Sequence, residues 1–311
     1  MTWYAVDALE DALAESEALL LPFDLGTWLR LAVVTVFAGT APPQTPAVSV
    51  DVTPQTAVGF VERLSDPAFV AAIATVVAGL VALGVVFAAL GSVMEFVLVD
   101  VLRSRRVRVL APFRDRVGAG LRLFAFRLVV GALLLLAAAG VVVPIALAVL
   151  SRTPLPLVAL LVTVPLFLAA AALAALVLEF TTAFVVPLVA DHGGGVLDGW
   201  RRLYPTLRAE WREFGVYVLV KAVVLVGAGL VLGLAGAMFA VPVGVFALAG
   251  AVTPLALVVS GVAALVGLAV VAAVSVPTVT FLRYHSLATL SASGAPFTLR
   301  GEESAPSERR E

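Results

Sequence analysis

Apolar residues come in long unbroken blocks, and the order of the blocks repeats. One block starts at Phe69 and runs into Glu95-Phe96. An arginine- and aromatic-laced stretch follows, and a second block continues to about Leu150. The same order recurs from Leu155 through Glu179-Phe180 to about Val241. A unit that cannot bury its apolar faces alone, used twice, reads as a duplicated helical hairpin. A helix crosses about 30 Å of hydrocarbon with roughly 20 residues. Five runs exceed that length: Phe69–Leu102, Leu121–Leu150, Leu155–Val189, Phe214–Val241 and Thr253–Leu282. A sixth, Thr27–Ala41, is short and carries Arg30 near its start. It is read as a span with Arg30 snorkelling to the interface, the alternative being a re-entrant piece. The pattern predicts an all-α membrane protein of about six transmembrane helices, five long and the first one short, with hairpin repeats over 69–150 and 155–241.

The polar stretches complete the division of the chain. Residues 1–26 form an N-terminal amphipathic segment, with Val6, Leu9, Leu13 and Leu20 on one helical face and Asp7, Glu10, Asp11, Glu15 and Glu17 on the other. The membrane domain takes 27–290, and a polar tail, 291–311, is expected to be disordered. The segment after Ala41 is rich in proline and threonine and reads as irregular. Both connectors between paired runs keep helical spacing. Leu110, Phe113, Val117, Leu121, Phe124 and Leu128 recur every three or four residues, as do Val196, Trp200, Leu203, Leu207, Trp211 and Phe214. Pro112 and Pro205 stand where a helix begins or breaks. Arginines fill the other faces, so both stretches are expected as interfacial amphipathic helices in the headgroup layer.

Composition agrees with this pattern. The 311 residues are 62% hydrophobic and 13% charged, with a mean hydropathy of +1.10. Soluble domains carry about 25% charged residues. There is no cysteine, which excludes disulfides and thiolate chemistry, and His192 and His285 are the only histidines. The formal net charge of −1 says less than where the charges lie. Arg103, Arg105, Arg106, Arg108, Arg114, Arg116, Arg122 and Arg127 crowd the first connector. Arg201, Arg202, Arg208 and Arg212 mark the second, and Arg283, Arg300, Arg309 and Arg310 follow the last run. The opposite turns hold only Arg63 and Arg152. The positive-inside rule then predicts a multi-pass protein of the cell membrane with both termini cytoplasmic. Arg103, Arg105, Arg106, Arg108, Arg201 and Arg202 are the candidate contacts to anionic lipid headgroups, each worth about 1 kcal/mol near the surface.

Four charges interrupt the apolar runs. Glu95 and Glu179 precede the polar end of their helices, and Arg127 and Lys221 follow the start of the returning ones at similar depth. Charges at that depth pair or face the bundle interior, so the expected pairs are Glu95 with Arg127 and Glu179 with Lys221. Ser275, Thr278, Arg283, Tyr284 and His285 read as interfacial anchors at the end of the last span. His192-Gly193-Gly194-Gly195 spells a lipase-like HGGG, but no Gly-x-Ser-x-Gly accompanies it, and it reads as a turn. No nucleotide-binding, metal-ligand or nucleic-acid signature is present, so no cofactor and no nucleic-acid partner is expected. The expectation is a non-enzymatic protein that meets membrane lipids or partner proteins, the alternative being a small-solute transporter or channel using the intramembrane charges.

Three stretches carry a resemblance: WYAVDALEDALAESEALLLPFDLGTWLRLAVV, SVMEFVLVDVLRSRRVRVLAPF and LEFTTAFVVPLVADHGGGVLDGWRRLYPTLRAEWREFGVYVLVK. They resemble an uncharacterised family of haloarchaeal integral membrane proteins over most of residues 1–290. More distantly, the Glu-Phe hairpins are similar to the membrane domain found beside glycerophosphodiester phosphodiesterases. The catalytic barrel of those enzymes takes about 250 soluble residues, which nothing here supplies. The resemblance implies an archaeal membrane protein and carries no active site across.

Overall fold

The computed structural model describes residues 3–38, 63, 66–248 and 254–297. These residues form eight helices: α1 (Tyr4–Leu20), α2 (Leu25–Phe37), α3 (Pro67–Ser104), α4 (Leu110–Ser151), α5 (Leu155–His192), α6 (Val196–Ala209), α7 (Trp211–Leu248) and α8 (Pro254–Ala292). The chain is an all-α membrane protein: α3, α4, α5, α7 and α8 are long and apolar enough to cross a bilayer, and α2 is a shorter apolar helix. At 13 residues, α2 is about 20 Å long, short of the full hydrocarbon. Most of the proline- and threonine-rich segment after Ala41, and the tail beyond Phe297, lie outside the described residues.

Local signals set the helix limits. Asp66 caps α3, its Oδ1 accepting from Ala68 N at 2.9 Å, and Pro67 takes the first position, where a missing N–H costs nothing. Asp24 does the same for α2 through Thr27 N at 2.7 Å. The Thr27 hydrogen bonds hold the Asp24 carboxyl below its ordinary range. The two connectors fold differently. In the first, the periodic stretch from Leu110 is simply the start of α4, a single helix of 42 residues. In the second, Gly193 and Gly194 adopt positive φ of 70° and 95°, which ends α5. The amphipathic stretch then becomes the separate helix α6, burying Val196, Gly199, Leu203 and Thr206.

Packing divides the molecule along its length. Helices α3 and α4 form one hairpin and α7 and α8 another. α5 lies beside α4, and α2 lies between α3 and α8. No residue of 67–90 in α3 or of 155–180 in α5 is buried. The arginine-rich ends are the reverse: 91–102, 181–190 and 275–290 are mostly buried and form the core. Lipid tails are as apolar as leucine, so spans in hydrocarbon need no packed interior, whereas polar side chains at their ends do.

Helix α1 lies on this core through a different face from the one its large residues suggest. Ala5, Ala8, Ala12, Ser16 and Leu20 are buried, while Val6 and Leu13 are exposed. Small side chains let the α1 backbone approach α8 closely enough for His285 Nε2 to meet Ala5 O at 2.8 Å. Tyr4 Oη donates to Glu210 Oε2 at 2.5 Å. Burial, reinforced by that carboxylate, pushes the phenol pKa up and keeps it a donor. At the start of the 291–311 segment Ala295 and Phe297 are buried, and the Arg103 guanidinium lies 5.4 Å from the Phe297 ring centre.

Candidate functional site

Glu95 sits on the buried stretch of α3 with its side chain 1% exposed. Arg127 of α4 reaches it, Nη2 donating to Glu95 Oε1 at 3.0 Å and to Thr182 Oγ1 at 2.8 Å. A second arginine, Arg283 of α8, ion-pairs with Glu95 Oε2. Its Nη1 donates to the Thr182 carbonyl at 2.6 Å. One carboxylate therefore serves two guanidinium groups. Arg283, Tyr284 and His285 are core residues, not interfacial anchors, all 5% exposed or less. Their helix runs down the middle of the packed end.

Glu179 of α5 pairs with Lys221 of α7 and also accepts from Tyr217 Oη at 3.2 Å. The Tyr217 ring stacks on His285 at 5.2 Å between centroids. Between the two acid–base groups α5 widens into a π turn, Thr181–Val185, a feature that clusters at functional sites. The turn places Thr182 between Arg127 and Arg283 and lets Thr181 Oγ1 accept from Trp200 Nε1 at 3.0 Å.

Helix lengths locate these charges. From Arg127 to the end of α4 at Ser151 is 24 residues, and from the start of α5 at Leu155 to Glu179 is also 24, about 36 Å in each case. That exceeds the roughly 30 Å of hydrocarbon. The charges therefore lie where the exposed stretches of the long helices meet the packed end.

Beyond this layer the arginines divide into two groups. Arg103 pairs with Asp191 at 2.7 Å, Arg105 with Glu15, and Arg116 with Asp100 at 2.8 Å. Arg201 meets Asp198 at 3.3 Å, and Arg202 Nη1 donates to Gly193 O at 3.4 Å. Arg106 and Arg108 are exposed and have no ion pair among the described residues. They line a surface cavity of about 700 Å³ with Asp100, Arg103, Asp115 and Arg116. The sequence pattern does not mark Asp100 and Asp191, which stand at the polar ends of apolar runs, and it gives Glu15 only as part of a polar helix face and Arg283 only as an interfacial anchor.

Asp198 closes the start of α6, its Oδ2 accepting from Gly195 N at 2.9 Å. That bond, assisted by Arg201 and Arg202, holds the carboxyl below its ordinary range. A depressed acid stabilises the fold above its unfolded pKa, and the benefit disappears as pH falls through the folded value. The gap in melting temperature between wild type and Asp198→Ala is therefore expected to close from neutral pH to below about pH 4. A pH-independent gap would assign the effect to something other than the carboxylate.

Comparison with curated proteins and with solved structures finds no match. Residues 3–300 match a family of unknown function, DUF7544. With nearly its whole length matched and the helices above accounting for that length, the chain belongs to the family of unknown function DUF7544.

Proposed function

We propose that this is a non-enzymatic, multi-pass protein of the cell membrane, with both termini cytoplasmic, that engages anionic lipid headgroups through its arginine-rich face. The observation that carries the reading is the cavity of about 700 Å³, lined by four arginines and two aspartates, in which Arg106 and Arg108 are exposed and have no ion pair among the described residues. Arg103, Arg105, Arg116 and Arg201 are ion-paired with Asp191, Glu15, Asp100 and Asp198, which leaves Arg106 and Arg108 to supply the positive charge. A headgroup phosphate suits that chemistry, since arginine presents a planar fork of donors. Glu95 is enclosed by its two arginines, which supports a structural role for the inner charges over the transporter alternative. The resemblance to haloarchaeal proteins extends the proposal to a halophilic archaeal source, supported by Lys221 being the sole lysine among 20 basic residues.

The test is titration of the full chain, in an uncharged detergent, with phosphatidylglycerol or phosphatidylcholine. Tighter binding of phosphatidylglycerol, weakened by salt, is expected. In the Arg106→Gln, Arg108→Gln double variant affinity should fall roughly 30-fold, at about 1 kcal/mol per arginine. Equal binding of both lipids, or an unaffected double variant, would overturn the proposal.

A further inference from the structure

The cavity of about 700 Å³ lies between the last turn of α3, the first turns of α4 and the segment that joins them. Asp100 and Arg103 share one face of α3. Asp115 and Arg116 each lie about one turn from Pro112 and flank one face of α4. Arg116 ties the two faces together, its Nε and Nη2 donating to the Asp100 carboxylate at 2.8 and 2.9 Å. Arg106 and Arg108 stand on the joining segment, where Arg108 N donates to Arg106 O at 2.9 Å and closes a tight turn.

Pairing sorts the charged groups of this cavity. Arg116 is held by Asp100 and Arg103 by Asp191. Arg106, Arg108 and Asp115 are exposed and have no ion pair among the described residues. Two guanidinium groups against one carboxylate leave a surplus of one positive charge. A site for a bare anion gains nothing from Asp115, which would repel an anion brought to the arginines. A carboxylate accepts hydrogen bonds and donates none, so Asp115 rewards an occupant that carries an O–H donor beyond its phosphate. A headgroup ammonium would also meet Asp115, but it makes the headgroup neutral and leaves the surplus charge unmatched. A hydroxyl leaves the phosphate diester its one negative charge. The volume holds both groups, since pockets for whole small molecules start at about 300 Å³.

We propose, resting on the headgroup reading above, that the cavity selects anionic phospholipids whose headgroup carries a hydroxyl beyond the phosphate. Arg106 and Arg108 take the phosphate, and Asp115 accepts from the hydroxyl.

The test titrates the full chain, in an uncharged detergent, with phosphatidylglycerol, phosphatidylcholine and phosphatidylmethanol, which has the same single negative charge as phosphatidylglycerol and no hydroxyl. Phosphatidylglycerol should bind roughly tenfold tighter than phosphatidylmethanol, the low end for one hydrogen bond to a charged group, as suits a site open to solvent. Asp115→Ala should bring the two anionic lipids level, weakening phosphatidylglycerol and tightening phosphatidylmethanol as the repulsion disappears. A carboxylate with a merely structural role would move both lipids the same way. Equal binding of the two by the wild type, with both above phosphatidylcholine, would overturn this proposal and leave the headgroup reading standing. Binding of neither above phosphatidylcholine would overturn both. Phosphatidylethanolamine binding tighter than phosphatidylglycerol would overturn the hydroxyl in favour of an ammonium. Displacement of phosphatidylglycerol by equimolar glycerol 3-phosphate would overturn the lipid in favour of a soluble phosphate ester.

Discussion

Glu95→Gln is expected to lower the unfolding free energy by about 3–5 kcal/mol, the usual cost of removing one partner from a buried ion pair. The side chain is nearly inaccessible and stands between two guanidinium groups. Glutamine keeps its shape and removes only its charge, so the loss comes from leaving two buried arginines facing each other. The three members should rank by what each deletion leaves behind. Arg127→Gln leaves Glu95 with Arg283 and removes a partly exposed residue, so about 1–2 kcal/mol is expected. Arg283→Gln removes the more deeply buried base and should fall between the other two. Adding Arg283→Met to Glu95→Gln should recover part of the loss, because it removes one of the two repelling charges. Chemical denaturation in detergent reads all four variants. If Glu95→Gln unfolds as the wild type does, the triad contributes no stability.

The same triad shows what the sequence could and could not convey. Glu95 and Glu179 stand out because an acid in an apolar run has few reasons to be there. Arg127 and Lys221 follow from equal depth on the returning helices. Arg283 does not, because an arginine beside Tyr284 and His285 at the end of a run has the signature of an interfacial anchor. Only the third dimension shows that α8 continues through the core instead of ending at its surface. The long spans and the short α2 were legible from run length alone. The contact face of α1 was legible only at Leu20: its other buried positions are alanines and a serine, which register weakly on any hydrophobic pattern, while Val6 and Leu13, which do register, are exposed. The π turn leaves no periodic trace either, since one extra residue per turn over Thr181–Val185 is lost in an apolar background.

These points share a physical cause. Hydrophobic patterning reports what lipid and core have in common, and in this chain it marks the spans without separating them from the packed end. What separates the two zones is polar burial. Ser92, Glu95, Thr181, Thr280, Arg283, His285 and Thr289 are all 5% exposed or less, and all belong to the packed end. Buried groups of that kind need partners: Ser92, Glu95, Thr181, Arg283 and His285 find theirs on other helices, which no single run of sequence contains, whereas Thr289 bonds within its own helix.

Close backbone approach holds that end together, and two glycines on one helix test it with opposite signs. Gly120→Ala is expected to cost about 1–3 kcal/mol, as overpacking does. A Cβ on Gly120 would lie 2.6 Å from the Cα of Val93 and 2.9 Å from its backbone nitrogen, and a backbone cannot turn aside as a side chain can. The crossing of α3 and α4 would have to open within a turn of Ser92 and Glu95, loosening their contacts with Arg127. Gly118, two residues earlier on the same helix, is exposed and has nothing within 4 Å of its Cβ direction. Gly118→Ala should therefore gain up to about 1 kcal/mol, the difference in helix propensity. Measuring both in the same detergent cancels the effect of medium on helix stability. If Gly120→Ala is also stabilising, the two helices do not approach as closely as Val93 and Gly120 place them. If Gly118→Ala is destabilising, that face of α4 is covered by something other than lipid or solvent.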